Sequence, residues 1–328
     1  MKLSEIKQQV INSYHAKTPY MIWGQPGVGK SDLIRQVAKE LGISLKDERL
    51  SQMDPVDMRG IPFRNEQGMT QWAIPGFLPQ EERDGQYGIL FLDEINTAPQ
   101  SVSAAAYQLI LDRQLGDYKL PDGWMVIAAG NRAKDRAIAI RMSAALSNRF
   151  GHGEVEVDIN EWMDWAMANK IHTDIIGFLR YKTGLLNDYD PDKTSFPTPR
   201  SWEFLNRHMP YMDDQNRYNT LKSFVGEGAA AEFIAYHNNK ADLPQFDEII
   251  QNPKGTKLPK EASAMFALSS MISPKITLDN FSTVLDYLGR IQPDYQVITI
   301  QDAIKYTPEL SSTQEFINWS VTNNHVIL

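Results

Sequence analysis

The sequence predicts an α/β fold: a parallel sheet flanked by helices, followed by an all-helical second half. Three observations predict it. Residues 87–92 and 124–129 are unbroken apolar runs, the pattern of strands buried on both faces of a parallel sheet. Segments with helical spacing alternate with the strand runs, and that alternation calls for crossover connections and parallel strands. From about Asn160 the pattern changes. Trp162, Trp165, Ala166, Ile171, Ile175 and Phe178 suit helices, and little after them reads as a strand.

Taken in order, residues 4–16 form a helix with Ser4 as its cap and Ile6, Val10, Ile11 and Tyr14 on one side, ended by Thr18 and Pro19. Tyr20, Met21, Ile22 and Trp23 make a short buried strand. Leu33, Ile34, Val37, Ala38 and Leu41 then recur at helical spacing before Gly42, which suits a helix C-cap. A second strand falls between Ile43 and Leu50. Residues 61–74 read differently, because Ile61, Phe63, Met69 and Trp72 flank Asn65-Glu66-Gln67-Gly68, a turn signal, so an inserted β-hairpin is expected. Pro55, Pro62, Pro75 and Pro79 make its surroundings irregular. An Ala-rich helix over 101–113 follows the strand at 87–92, and the last strand is expected over 155–159. Beyond it, residues 187–199 form a loop heavy in Asp and Pro, and residues 253–259 form a linker. Helices resume near Ser201, Thr220, Glu261, Leu278 and Ile300.

Between the first strand and its helix stands Gly24-Gln25-Pro26-Gly27-Val28-Gly29-Lys30-Ser31, which fits G-x-x-x-x-G-K-[ST], the loop that cradles nucleotide phosphates. Its glycines allow a tight turn whose N–H groups form an anion-binding nest. Lys30 is a compact charge for the terminal phosphates, and the Ser31 hydroxyl is a ligand for Mg²⁺. A Gly-rich turn matches such a pattern by chance far less often when a strand precedes it and a helix follows. The expected substrate is ATP with Mg²⁺.

The apolar run at 87–92 ends in Asp93 and Glu94. At the C-terminal end of a parallel strand, Asp93 faces the crevice that the phosphate loop faces, where it serves the metal while Glu94 polarises the attacking water. Alone, two carboxylates at a strand end are solvated acids; behind a phosphate loop they are a catalytic pair. Asn131 ends the next strand at the same edge and has an amide to hold that water from the other side.

Composition narrows the alternatives. A net charge of −8 argues against a broad nucleic-acid surface. Zero cysteines exclude disulfides and thiolate chemistry, and the six histidines show no metal-binding spacing. No apolar run approaches a membrane span, and the N-terminus lacks the apolar core of a signal peptide, so a cytoplasmic location is expected.

The phosphate loop, Asp93-Glu94, Asn131 and Asn148-Arg149-Phe150, in that order, resemble an AAA+ ATPase, and the string from Leu92 to Pro99 resembles the MoxR-like branch. The resemblance runs from about Lys2 to Met209. Thr97 departs from it, since many relatives carry Arg there. The resemblance implies a P-loop AAA+ core over 1–159 and a helical lid over 160–240, and helical spacing alone gives a helical C-terminal extension over 241–328. It implies a sensor role for Asn131 and a trans-acting arginine finger at Arg149, with Arg136 and Arg141 as competing candidates. Arg200 fits the lid's sensor, and a physical clue agrees: with Thr198 as N-cap and Pro199 at the first helical position, Arg200 falls in a first turn whose dipole disfavours a cation unless an anion binds there. The resemblance also implies a homo-oligomeric ring, commonly a hexamer. It implies an insertion hairpin over 61–74 and a second over 114–123 near the pore, with Met58, Phe63, Met69 and Trp72 either touching a client or packing the hairpin down. Such proteins remodel a protein partner, often one with a von Willebrand factor A domain. A nucleic-acid motor on the same fold and a non-hydrolysing nucleotide switch are the alternatives.

Overall fold

The computed structural model describes residues 1–132, 142 and 144–323. They divide into two compact units, Met1–Asp158 and Ile159–Leu328.

The first unit starts with helix α1 (Leu3–Ala16), strand β1 (Tyr20–Trp23), helix α2 (Lys30–Leu41) and strand β2 (Ser44–Arg49). Helix α1 begins one residue ahead of Ser4, because Lys2 takes the extended N-cap position and the Glu5 side chain accepts its N–H at 2.9 Å. Gly42 ends α2 in the left-handed conformation, as its lack of a Cβ permits. A short helix α3 (Pro55–Arg59) leads into the hairpin β3 (Pro62–Arg64) and β4 (Thr70–Trp72), where Asn65 Oδ1 accepts the N–H groups of Gln67 and Met69 and so folds the turn. Then come α4 (Glu81–Asp84), β5 (Gly88–Asp93), α5 (Gln100–Asp112), the small hairpin β6 (Gln114–Leu115) and β7 (Tyr118–Lys119), β8 (Trp124–Gly130), α6 (Ala144–Ser147) and β9 (Gly151–Glu154).

The sheet order is β2-β5-β8-β1-β9, with every pairing parallel. Strands β5 and β8 are buried along their whole length, which is what their unbroken apolar runs require. One face packs Ile6, Val10, Ile34 and Val37 of α1 and α2; the other packs Val102, Ala106 and Leu109 of α5 together with Met58. Met58 is therefore a core residue, whereas Phe63, Met69 and Trp72 are exposed.

The last strand lies four residues earlier than expected, and its glycines explain why. A Cβ on Gly151 or Gly153 would come within 2.7 or 2.5 Å of the Tyr20 side chain, so an aromatic ring of β1 supplies the apolar cover that β9 itself lacks. Val155 and Val157, the apolar residues that suggested a later strand, pack on the core just past its end.

The second unit is helical: α7 (Ile159–Ala168), α8 (Thr173–Tyr181), α9 (Pro199–His208), α10 (Arg217–Asn238), α11 (Phe246–Gln251), α12 (Ala262–Ile272), α13 (Phe281–Leu288), α14 (Pro293–Tyr306) and α15 (Gln314–Thr322). Phe178, Trp202, Phe233 and Tyr236 bring α8, α9 and α10 together in one aromatic cluster, with Phe178 and Phe233 edge to face at 5.1 Å. The buried Asp302 of α14 pairs with Arg180 of α8 through both guanidinium nitrogens, one at 2.6 Å.

Candidate nucleotide-binding site

The phosphate loop joins β1 to α2 at the C-terminal edge of the sheet. Gly27 (φ 81°) and Gly29 (φ 99°) hold left-handed conformations that would strain any other residue, and Gly29 caps α2 so that its first N–H groups stay open toward a ligand. Lys30 is the first residue of α2 and is buried. Its Nζ donates to Gly24 O (2.8 Å) and Gln25 O (3.0 Å) and reaches Asn131 Oδ1 at 3.5 Å. The ammonium is thus folded over the loop it serves.

Ser31 Oγ donates to Asp93 Oδ2 at 2.9 Å, and the Glu94 N–H donates to Asp93 Oδ1 at 2.8 Å. A hydroxyl and a carboxylate oxygen side by side are hard oxygen donors. They fit Mg²⁺, which takes few protein ligands and completes its shell with phosphate and water.

Glu94 sits at φ 57°. For a residue with a side chain this costs roughly 1–2 kcal/mol, so the surrounding contacts must enforce it. They do so by closing a turn: Thr97 N–H and Thr97 Oγ1 both donate to Glu94 O at 3.0 Å, and Ile95 N–H donates to Ala129 O at 3.1 Å. Thr97, where the family resemblance leads to Arg, has this local task. The turn sends the Glu94 carboxylate toward Ser51, just past β2, whose Oγ donates to Glu94 Oε2.

Asn131 follows β8 and is held by its backbone. Asn96 Nδ2 donates to Asn131 O at 2.8 Å, while Asn131 N–H donates to Asn96 Oδ1 at 3.1 Å. Gly130 makes this clamp possible, because a Cβ there would lie 2.5 Å from Asn96 Oδ1. Ser51 and Asn96 are the functional candidates that sequence reasoning missed. Asn96 is signalled by its place two residues after Glu94; Ser51 becomes visible only once β2 is known to neighbour β5.

These groups gather at one edge of the sheet, and Arg149 does not join them. It precedes β9, whose Gly151 is level with Tyr20 at the start of β1, so it stands at the N-terminal edge. The four residues of β1 alone separate the two edges by roughly 13 Å. Arg149 is exposed and has no ion-pair partner among the described residues; Glu154, the acid nearest to it in sequence, pairs with Arg132 at 2.7 Å. Arg136 and Arg141 lie outside the described residues. In the helical unit, Thr198 and Pro199 start α9 as expected, with Thr198 Oγ1 accepting the Ser201 N–H at 3.1 Å, and Arg200 is exposed in its first turn.

Residues 20–153 match the model of the ATPase family associated with various cellular activities (AAA). The chain is 30% identical over 140 residues to Protein MoxR of Methylorubrum extorquens, an alignment covering 41% of this chain and 39% of that protein. It is 28% identical over 175 residues to Midasin of Giardia intestinalis, covering 51% of this chain and 4% of that protein. The chain thus spans well under half the length of either relative. Among solved structures it is similar to the RuvB Holliday junction branch migration motor of Thermotoga maritima, with 18% identity, a TM-score of 0.42, and coverage of 88% of this chain and 86% of that one. A TM-score of this size leaves the fold assignment resting on the sheet order and the family match. Residues 20–153, which include the phosphate loop, the Asp93-Glu94 pair and Asn131 on one sheet edge, match the AAA family of ATPases, and the chain is similar in sequence to MoxR.

Proposed function

We propose that the chain hydrolyses ATP at the interfaces of a homo-oligomeric ring, commonly a hexamer, and uses the cycle to remodel or activate a protein partner. The observation that carries this reading is the separation of Arg149 from Lys30, Ser31, Asp93, Glu94 and Asn131. One sheet edge has the groups that bind and cleave a triphosphate; the opposite edge offers a cation that has no ion-pair partner among the described residues and stands a strand length from its own site. A second copy supplies what each site lacks.

In this mechanism Lys30 and the loop N–H groups bind the phosphates. Ser31 and Asp93 would hold Mg²⁺, which when bound offsets phosphate charge. Glu94, released from Ser51, orients the attacking water and draws off its proton, with the Asn131 amide on the other side of that water. The neighbour's Arg149 stabilises the charge that develops on the transferred group, a contribution worth about 10³–10⁵ in rate in phosphoryl transfer. Arg200, exposed in the first turn of α9, is the residue that the family resemblance assigns as the lid's sensor. The exposed Ile61, Phe63, Met69 and Trp72 of the hairpin are the surface offered to a protein client, with a von Willebrand factor A domain protein the partner that the family resemblance favours, in the cytoplasm.

ATP turnover measured against protein concentration tests the reading. Specific activity that rises with concentration is expected. Activity independent of concentration, with Arg149→Ala unimpaired, would reduce the protein to a monomeric ATPase.

A further inference from the structure

At the N-terminal edge of the sheet lies a cleft of about 200 Å³ whose lining includes Lys17, Arg113, Arg149, Pro19, Ile110 and Met125. Among the described residues that line it, three are cations and none is an acid, in a protein whose net charge is −8. Two of the three are held by strained backbone: Lys17 (φ 53°) ends α1 and Arg113 (φ 53°) ends α5. The Arg113 guanidinium is fixed on carbonyls, donating to Pro121 O at 2.8 Å and Trp124 O at 2.9 Å. Lys17 and Arg149 are exposed, and among the described residues neither side chain has an ion-pair partner.

Cations at helix C-termini favour the helix dipole, which accounts for Lys17 and Arg113 singly. It does not account for their convergence on Arg149, since like charges around one cleft repel unless an anion joins them. The cleft is smaller than the roughly 300–1,000 Å³ of small-molecule sites, so it fits one charged group rather than a whole nucleotide. It also lies a full strand length from the chain's own phosphate loop.

We infer that this cleft receives the terminal phosphate of a nucleotide bound to a neighbouring copy, and that Lys17 is a second trans-acting cation beside Arg149, with Arg113 as a fixed background charge. The inference rests on the subunit-interface reading of Arg149. Lys17 then links assembly to the nucleotide: a triphosphate presents the group that bridges two copies, and a diphosphate does not.

Sedimentation velocity on the full chain, with Mg²⁺ and either a non-hydrolysable ATP analogue or ADP, tests this. Lys17→Asn removes the charge while keeping a residue that tolerates the left-handed cap, and Lys17→Arg keeps the charge. Lys17→Asn is expected to raise the concentration for half-assembly with the ATP analogue about tenfold, Lys17→Arg to restore it, and binding of a fluorescent ATP analogue to the unassembled chain to stay unchanged. Assembly of Lys17→Asn at the wild-type concentration, with Arg149→Ala still impaired, would overturn the role of Lys17 alone. An equal shift with ADP would overturn the phosphate assignment and indicate a carboxylate of the neighbour. Wild-type assembly indifferent to nucleotide, with Arg149→Ala normal, would overturn the interface reading itself.

Discussion

Asn96→Ala removes the clamp on Asn131 and is the sharpest test of how the site is held. Asn96 is 3% exposed, and its amide satisfies both the C=O and the N–H of Asn131 at 2.8 and 3.1 Å. Each bond contributes about 1 kcal/mol net, and a partner left without water costs a further 1–3 kcal/mol. Partial access of water at the half-buried Asn131 keeps the total near the lower end, so the expected loss of stability is about 2–4 kcal/mol, read as a shift in the urea midpoint at constant m-value. Asn131→Ala leaves the clamp intact, because Asn96 binds backbone only, and its side chain loses a single 3.5 Å contact with Lys30. It should cost under about 0.5 kcal/mol yet impair ATP turnover. Asn96→Asp places a carboxylate oxygen against Asn131 O and should be as damaging as Asn96→Ala. Stability of Asn96→Ala within about 0.5 kcal/mol of wild type, or an equal loss in Asn131→Ala, would refute the division between a clamp and a working side chain.

Two further outcomes follow from particular contacts. Ser51→Ala frees the Glu94 carboxylate from the hydroxyl that holds it, so basal ATP turnover should rise about two- to tenfold with nucleotide affinity unchanged; a fall in turnover would mean that Ser51 positions Glu94 rather than restrains it. In the helical unit, burial works against the Asp174 carboxylate, but His237 and Lys240 more than offset it and hold its pKa well below the usual carboxylate range. The folded value lies below the unfolded one, so the stabilisation is complete above about pH 4 and fades as pH falls through the folded value. Asp174→Ala should therefore cost about 3 kcal/mol near neutral pH, with a gap to wild type that narrows in acid. A gap constant with pH in thermal or urea melts would contradict the assignment.

The parts of the fold legible in the sequence were those fixed by local chemistry. Unbroken apolar runs located β5 and β8 because strands buried on both faces have no polar side to show. Thr198 and Pro199 located the start of α9 because a cap and a proline act within one turn. Strand β9 was misplaced because its apolar cover comes from Tyr20, more than a hundred residues away. The site divides in the same way. Lys30, Ser31, Asp93, Glu94 and Asn131 stand in motifs or at strand ends, whereas the tasks of Ser51 and Asn96 depend on which strands are neighbours and on the turn that Thr97 closes. Arg149 was named from the sequence, but its place opposite the phosphate loop came from the register of β9 with β1.

The most direct test of the central claim, a site completed by a neighbouring copy, is a mixing experiment. Glu94→Gln and Arg149→Ala are each expected to lose ATP turnover. Mixed, they should recover part of it, because some interfaces unite an intact Glu94 with a neighbour's intact Arg149. Activity in the mixture no greater than the sum of the two variants alone, with both still assembling, would contradict the account.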